Sequence, residues 1–181
     1  MNRGKHLVSA IGLALCAILL LSGCDLIMGL FGGGNDQDPI AIPDSESANP
    51  AYSGLETDVF DAVNADRTDH SAAAFASRDS SLDALARRYA KVGACDTVPK
   101  NLEDRVKSVL GSCSEAAYFL FSSMNAPSAN TMMTSWLSNT GGQIAMRNAA
   151  FTKIGIGIVD GAGPNGVPGT YVNTIVLLAK P

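Results

Sequence analysis

The chain has 181 residues, of which 46% are hydrophobic, and this length suits one globular domain with short accessory segments. It carries 13 basic and 17 acidic residues, for a formal net charge of −4. This balance lacks the basic excess of a nucleic-acid-binding domain, so we expect no nucleic-acid partner.

The first 23 residues differ from the rest and have the pattern of a signal peptide. Arg3 and Lys5 precede an uncharged apolar run at residues 7–21. The run is shorter than the roughly 20 residues that a membrane-spanning helix needs, but it suits the apolar region of a secretory signal. It ends in the tetrapeptide LSGC at residues 21–24, which resembles the lipobox of bacterial lipoproteins.

The lipobox resemblance implies cleavage before Cys24, a diacylglyceryl group on its sulfur, and an acyl chain such as palmitate on the new amine. Two or three acyl chains hold a protein stably on a membrane. The alternative is an ordinary secretory signal with an incidental cysteine. Asp25, directly after this cysteine, resembles the inner-membrane retention signal of enterobacterial lipoproteins. We therefore expect an extracytoplasmic position in the bacterial cell envelope, facing the periplasm or the exterior, with the inner membrane favoured.

Residues 24–52 have the composition of a tether that begins at the lipidated cysteine. This segment contains three consecutive glycines, several prolines and scattered acidic residues. As a flexible coil it would have a root-mean-square reach of roughly 30 Å. We accordingly assign 1–23 to the signal peptide, 24–52 to the tether and 53–181 to the folded domain.

Two cysteines stay in the mature domain, because Cys16 leaves with the signal and Cys24 carries lipid. They are Cys95 and Cys113, and two cysteines in an oxidising compartment favour a disulfide. The bridge would close a loop of about 18 residues and would stabilise the fold by about 3 kcal/mol. Two buried free thiols are the alternative.

The first half of the domain is predicted to be helical. Ser53 and Glu56 have capping-box spacing and begin a helix that ends near Arg67. A second helix begins at Ser80, with Arg87 on its exposed face, and a third covers 102–110. Each has apolar residues at helical spacing.

The second half mixes one more helix with strands. The apolar run 116–121 fits either a strand or a buried helix. A fourth helix begins near Ser128, a Gly-Gly turn follows at 141–142, and strands are expected at 151–159 and 170–179. Because helices come first and a hairpin comes last, the sequence predicts an α+β fold.

The first of the two final strands has an unusual alternation. Ile154, Ile156 and Ile158 alternate with Gly155 and Gly157. Period-two alternation places the isoleucines on one face and leaves the other face bare of side chains. Repeated glycines weaken a strand, and we therefore expect another element to pack very close to the bare face.

Four segments resemble, in order, the superfamily of cysteine-rich secretory proteins, antigen 5 and pathogenesis-related proteins, known as CAP or SCP-like domains. They are residues 63–67, with the pattern Asn-x-x-Arg, then 79–90, 104–117 and 136–157, the last with Phe-Thr-x-Ile-Gly-x-Gly. The resemblance spans about residues 55 to 181. It implies an α-β-α sandwich, with a small antiparallel sheet between helical layers and a helix packed directly onto Gly155 and Gly157.

The chain departs from the family at the metal-binding cleft. Many members bind a divalent ion such as zinc with two histidines and acidic residues, but here the histidine of Gly-His-Arg is Gly142, followed by Gln143. The other histidine is expected between 94 and 105, and that stretch has none. Of the cluster Glu115 is left, and one carboxylate cannot hold zinc. We therefore predict a degenerate cleft around Glu115, Gly142 and Gln143, with no metal and no cofactor.

The resemblance and its departures imply a non-catalytic binding or interaction module whose ligand is a lipid, a glycan or an envelope protein. The alternatives are a hydrolase of peptide or cell-wall substrates and an inert envelope scaffold. Glu115 either binds a ligand's hydroxyl or amine or makes a structural hydrogen bond. Arg67 either binds an anion or pairs with a carboxylate, and Trp136 is either a core residue or a ligand platform. His70, in the link after the first helix, gives no support for a Ser-His-Asp site.

Overall fold

We used a computed structural model of the full chain, which describes residues 43–92, 102–163 and 169–181. The described residues contain a short 3-10 helix at Pro50–Tyr52, five α-helices and three strands. The helices are α1 (Ser53–Asp69), α2 (Ser80–Val92), α3 (Leu102–Leu110), α4 (Ala129–Trp136) and α5 (Thr140–Met146), and the strands are β1 (Glu115–Ser123), β2 (Lys153–Gly161) and β3 (Tyr171–Lys180).

The three strands form an antiparallel sheet in the order β1-β3-β2. β3 is therefore central, with Glu115 of β1 opposite Lys180 at one end and Asp160 of β2 opposite Val172 at the other. Helices α1, α4 and α5 contribute to the core on one face of the sheet, and α2 and α3 to the core on the other. This arrangement confirms the predicted α+β fold with a small antiparallel sheet between helical layers.

The predicted close approach to the bare face of β2 is confirmed. A Cβ atom added at Gly155 would lie 2.7 Å from the backbone nitrogen of Asp83, and one at Gly157 would lie 2.7 Å from Cα of Arg87. A Cβ atom does not come this close to an atom outside its own residue and its chain neighbours, so α2 lies directly on the backbone of β2. The isoleucines point the other way and are fully buried in the core under α1 and α4.

Two local predictions were wrong. The Gly-Gly pair at 141–142 lies inside α5 rather than in a turn, because the Asn139 side chain caps the helix by accepting from the N–H of Gly142 at 3.0 Å. The capping box of the first helix does not form: Ser53 donates to the carbonyl of Pro50, and the Glu56 carboxylate is buried elsewhere. Local spacing suggested the cap, but long-range partners for Glu56 took precedence.

The ambiguous run after the third helix is a strand, β1, and Gly111 ends α3 with a positive φ of 82°. Trp136 is a core residue, 2% exposed, and its indole N–H donates to the carbonyl of Leu120 at 2.9 Å. This contact fixes α4 against the outer edge of β1.

The N-terminal predictions fall largely outside the described residues. The signal peptide 1–23, the lipidation site Cys24 and most of the tether all precede residue 43. The last part of the predicted tether, residues 43–52, contacts the domain and includes the 3-10 helix. None of the helices within the described ranges is both long and apolar enough to span a membrane.

Candidate functional site

The structure places the three predicted cleft residues on two elements. Glu115 is the first residue of β1, whereas Gly142 and Gln143 lie in α5. The Gln143 side-chain amide donates to the carbonyl of Leu137 at 2.9 Å. No hydrogen bond in the described parts of the chain joins the Glu115 side chain to either residue of α5.

The chemistry available at these positions is limited. Gly142 is buried and has no side chain that could act as a ligand, and the amide of Gln143 is engaged with the backbone. Within residues 43–92, 102–163 and 169–181, no three His, Cys, Asp or Glu side chains are grouped so that they could hold a metal ion. The absence of a metal and of a cofactor remains a prediction.

The predicted disulfide also remains a prediction, because Cys95 lies outside the described residues. Cys113 has a half-buried free thiol in this structure, and its sulfur is 3.4 Å from the carbonyl oxygen of Glu115. Burial raises the pKa of this thiol, since it disfavours the charged thiolate. Cys113 comes three residues after the end of α3, and its side chain packs against the core beneath α2.

Arg67 occupies a buried cage of backbone carbonyls. Its guanidinium donates to the carbonyls of Ala73 at 2.8 Å, Met146 at 2.8 Å, Asn148 at 3.1 Å and Phe151 at 3.1 Å. The residue is 1% exposed, and burial lowers its pKa. Arg67 makes neither of the predicted contacts, since its partners are neutral carbonyls rather than an anion or a carboxylate.

Asn64 completes the arrangement and explains the Asn-x-x-Arg spacing. Its side-chain amide donates to the carbonyl of Phe75 at 3.1 Å and accepts from the N–H of Phe75 at 2.8 Å. The guanidinium of Arg67 also lies 4.1 Å from the centroid of the Phe75 ring. One turn of α1 therefore fixes the loop that leads to α2, and the residues act on the backbone rather than on a ligand.

A second buried charged cluster joins α1 to α2. Arg78 donates to the Glu56 carboxylate at 2.7 Å and to the Asp83 carboxylate at 2.7 Å, and Arg87 donates to Glu56 at 3.1 Å. Glu56 is 3% exposed and Asp83 is 6% exposed. The sequence pattern placed Arg87 on the exposed face of its helix, but it lies in this cluster, and only 11% of its side chain is exposed.

The same carboxylates cover the outer edge of β2. Asp83 accepts from the backbone N–H of Ile156 at 2.7 Å, and Glu56 accepts from that of Ile158 at 3.4 Å. The carbonyl of Ile154 accepts from the N–H of Asp79 at 2.8 Å. An open strand edge is a template for pairing with another chain, so these contacts protect the sheet from association.

A third cluster lies at the end of α1. Arg147 makes a two-point ion pair with Asp66, with distances of 3.0 and 2.8 Å. His70 Nδ1 lies 2.8 Å from the backbone carbonyl of Asp66, so this nitrogen carries the proton. The His70 side chain is 45% exposed and ends the helix, in agreement with a solvated link residue.

The two buried clusters were missed in the sequence, although a signal for them exists. Glu56, Val59, Val63 and Arg67 follow one another on a single helical stripe of α1 at spacings of three, four and four residues, and all four are buried. Asp83 likewise adjoins Leu82 on the buried side of α2. A charged residue on an apolar stripe indicates a buried partner, but the identity of that partner depends on tertiary contacts.

Solved structures of known proteins include some with a similar fold. The chain resembles an outer surface protein from Borrelia burgdorferi with a TM-score of 0.53 and 14% identity, over 75% of this chain and 96% of that one. It also aligns with a cysteine-rich secretory protein from Staphylococcus aureus at 14% identity, over 71% of this chain and 39% of that one. The TM-score of the second alignment is 0.47, which is too low to carry an argument.

No protein-family model and no curated protein sequence matches the chain. At 14% identity, the similarity to the Borrelia protein concerns the fold alone. The described residues form an α+β fold with a small antiparallel sheet between two helical layers, and this fold is similar to that of the Borrelia protein.

Proposed function

We propose that this protein is a CAP-like lipoprotein of the bacterial cell envelope that acts as a non-catalytic binding or interaction module. Cys24 carries the lipid, and the domain lies on the extracytoplasmic side of a membrane. The main support is that the polar residues singled out by the family resemblance make structural contacts inside the domain. Asn64 and Arg67 bind backbone groups, and the histidine position is the buried Gly142.

The buried and half-buried charged residues of the domain support the same proposal. Glu56 and Asp83 share their oxygens among two arginines and the edge of β2. The Nε and Nη2 atoms of Arg147 each donate to one oxygen of the Asp66 carboxylate. A general acid or base needs a group that can exchange a proton with a substrate, and the oxygens of these carboxylates are already hydrogen-bonded to guanidinium groups.

The fold similarity supports an envelope position, because the Borrelia protein is by its name an outer surface protein. The signal-like run 7–21 and the LSGC tetrapeptide point the same way. A lipid, a glycan or an envelope protein is the ligand class that suits such a position.

Lipidation is tested by fractionating cells that express the full-length protein. Cys24→Ala removes the acceptor sulfur and should move the protein from the membrane fraction to the soluble extracytoplasmic fraction. Cys16→Ala is the matched control, because that residue leaves with the signal peptide and should not change the distribution. Unchanged membrane retention of Cys24→Ala would contradict the anchor.

The non-catalytic role is tested with the purified domain and two assays. Titration calorimetry with zinc should show no stoichiometric binding at micromolar concentrations, and casein and peptidoglycan should not be turned over. A hydrolytic activity that disappears in Glu115→Gln but persists in Glu103→Gln, an exposed acid on α3, would replace the proposal with the hydrolase alternative.

The ligand class is tested by mass spectrometry of material extracted from the protein purified from its native envelope. A lipid or glycan recovered in stoichiometric amount would identify the class, and a specifically cross-linked envelope protein would identify a protein ligand. Recovery of neither, from protein that remains folded, would favour an inert scaffold.

A further inference from the structure

Residues 43–52 do not simply lead to the domain but are bound to it at several points. The Tyr52 hydroxyl donates to the Asp160 carboxylate at 2.6 Å, and the Asn49 side-chain amide lies 3.4 Å from the same carboxylate. Glu46 forms an ion pair with Lys91 at 3.5 Å, and the carbonyl of Pro43 accepts from Arg88. We call residues 43–52 the strap.

The strap is ordered by local contacts as well. Asn49 caps the 3-10 helix Pro50–Tyr52 by accepting from the N–H of Ala51 at 3.0 Å. The Tyr52 ring packs against the core on the α1 side of the sheet. Lys91 also donates to the backbone carbonyl of Asp160 at 3.1 Å, which links the two binding points of the strap to each other.

All of these binding points lie at one end of the sheet. Asp160 is near the end of β2, where it is opposite Val172 at the start of β3, and Arg88 and Lys91 are in the last turns of α2. Glu115 is opposite Lys180, at the other end of β3, about 27 Å away along the strand. The strap therefore leaves the predicted cleft residue uncovered and affects the connection to the tether instead.

We propose that the strap is a releasable clamp that sets the length of the membrane tether. This inference depends on the proposed lipid anchor at Cys24. With the strap bound, residues 24–42 connect the lipid to the domain and can extend at most about 65 Å. Release of the strap adds ten residues before α1 and raises this upper limit to about 100 Å.

The character of the contacts makes release feasible without unfolding the domain. Apart from the Tyr52 ring, the strap is held by polar contacts, and the Glu46–Lys91 pair is partly exposed, with 23% and 44% of the two side chains accessible. Exposed ion pairs contribute little stability, and segments with few buried apolar contacts open independently of the core. Helix α1 begins after the strap and keeps its own buried residues.

The first test is hydrogen exchange on the lipidated full-length protein. The amides of Ala51 and Tyr52 should exchange at least about tenfold more slowly than in an unstructured peptide. The double variant Asn49→Ala/Tyr52→Phe removes both strap donors to the Asp160 carboxylate. It should abolish the protection of the Tyr52 amide, whose acceptor is the backbone carbonyl of Asn49, while the amides of α1 and β3 keep theirs. Tyr171→Phe, which removes a tyrosine hydroxyl outside the strap, should leave the exchange unchanged.

The second test measures the distance from the membrane by energy transfer from Trp136, the sole tryptophan of the chain, to dansyl-labelled lipids in vesicles. In the double variant, transfer should fall about twofold or more, because the upper limit on the tether grows by about half. A second variant, Glu46→Gln, should lower transfer by a smaller amount, since it removes one exposed ion pair.

The outcomes separate the strap from the anchor. Unprotected strap amides in the wild-type protein, or equal transfer in the wild type and the double variant, would overturn the clamp. Cys24→Ala should abolish transfer altogether. If it does not, the lipid anchor is wrong, whereas loss of transfer in Cys24→Ala with no effect of the double variant contradicts the strap alone.

Discussion

Helices α1 and α2 cover opposite faces of β2, but they lie against it in different ways. On the α1 side, the isoleucines of β2 and apolar side chains such as Val59 and Val63 fill the space between the layers. On the α2 side, Gly155 and Gly157 provide no side chain, and the helix lies on the strand backbone. One interface is built from side chains and the other from direct backbone approach.

The difference determines where each side places its buried charge. On the α1 side the long side chain of Arg67 reaches four backbone carbonyls without a carboxylate partner. On the α2 side the charges lie at the border, where Asp83 and Glu56 meet the edge of β2 and are neutralised by Arg78 and Arg87. In both regions, charged side chains make hydrogen bonds to backbone groups that have no partner within a helix or the sheet.

The largest effect is expected at the arginine cage. Arg67→Met keeps much of the side-chain volume but removes the guanidinium donor to the carbonyls of Ala73, Met146 and Phe151. The Asn148 carbonyl loses the same donor but still accepts from the N–H of Phe151 at 3.2 Å. We expect the free energy of unfolding to fall by about 3–5 kcal/mol, since each buried group that loses its partner costs about 1–3 kcal/mol. Urea denaturation followed by circular dichroism measures the loss.

Arg67→Lys is the matched control for charge. Lysine keeps the positive charge but cannot present a planar fork to several carbonyls, so we expect an intermediate loss. If Arg67→Lys were as stable as the wild type, the charge alone would suffice and the fork geometry would be unimportant. A loss below about 1 kcal/mol in Arg67→Met would contradict the cage itself.

The backbone approach on the α2 side is tested by adding one methyl group. In Gly157→Ala the new Cβ would lie 2.7 Å from Cα of Arg87, so α2 must move away from the strand. We expect a loss of about 3 kcal/mol, at the upper end of overpacking effects. Gly54→Ala, in α1 with nothing within 4 Å of the added atom, should instead stabilise the protein by about 0.5–1 kcal/mol. Equal effects of the two substitutions would contradict the difference between the two sides.

The charged border is tested by neutralising its two acids separately. Asp83→Asn should cost about 2 kcal/mol, because the half-buried Arg78 loses one of its two carboxylate partners. Glu56→Gln should cost less, since its bond to the β2 edge is 3.4 Å long, compared with 2.7 Å for Asp83. Thermal unfolding gives the order, and analytical ultracentrifugation detects any association through the uncovered edge. A larger loss for Glu56→Gln would reverse this assignment of the main edge contact.

The smallest effect is expected at the strap, where the contact is partly exposed and depends on pH. The hydrogen bond to Asp160 raises the pKa of Tyr52 from 10.0 to about 12. A raised pKa in the folded state means that the stabilisation is fully present below pH 10 and is lost as the pH rises toward 12. Tyr52→Phe should therefore be less stable by about 1 kcal/mol at neutral pH, and the difference should vanish near pH 12. A difference that did not change across this range would assign the effect to packing.

Much of the architecture was predictable, because periodicity is a local property. Apolar spacing gave the helices around Val59, Leu82 and Met132, and the Ile-Gly alternation predicted a strand with one closely covered face. The helix α5 was missed because two glycines at its start suggest a turn, whereas the cap from Asn139 and the burial of Ala145 and Met146 favour a helix. Caps and burial of this kind depend on neighbours that local spacing does not reveal.

The candidate site was predictable in part. The absence of a histidine at Gly142 is a property of the sequence, since glycine supplies no ligand in any fold. The role of Arg67 was not predictable. Its carbonyl partners include the last residue of α5 and two residues of the turn before β2, which meet the guanidinium only in the folded protein. The contacts of Glu56 likewise depend on α1 and α2 meeting at the edge of one strand.

From the sequence alone it was possible to predict the α+β class, most of the helical and strand segments, the bare face of β2 and the lack of a histidine at position 142. These features depend on side-chain spacing and identity along a short stretch of chain. The folded structure was needed to show that α2 covers the glycines, that Arg67 binds four carbonyls, and that residues 43–52 bind near Asp160. Those outcomes depend on groups far apart in the chain, whose meeting is determined by packing and by the need to satisfy buried polar atoms.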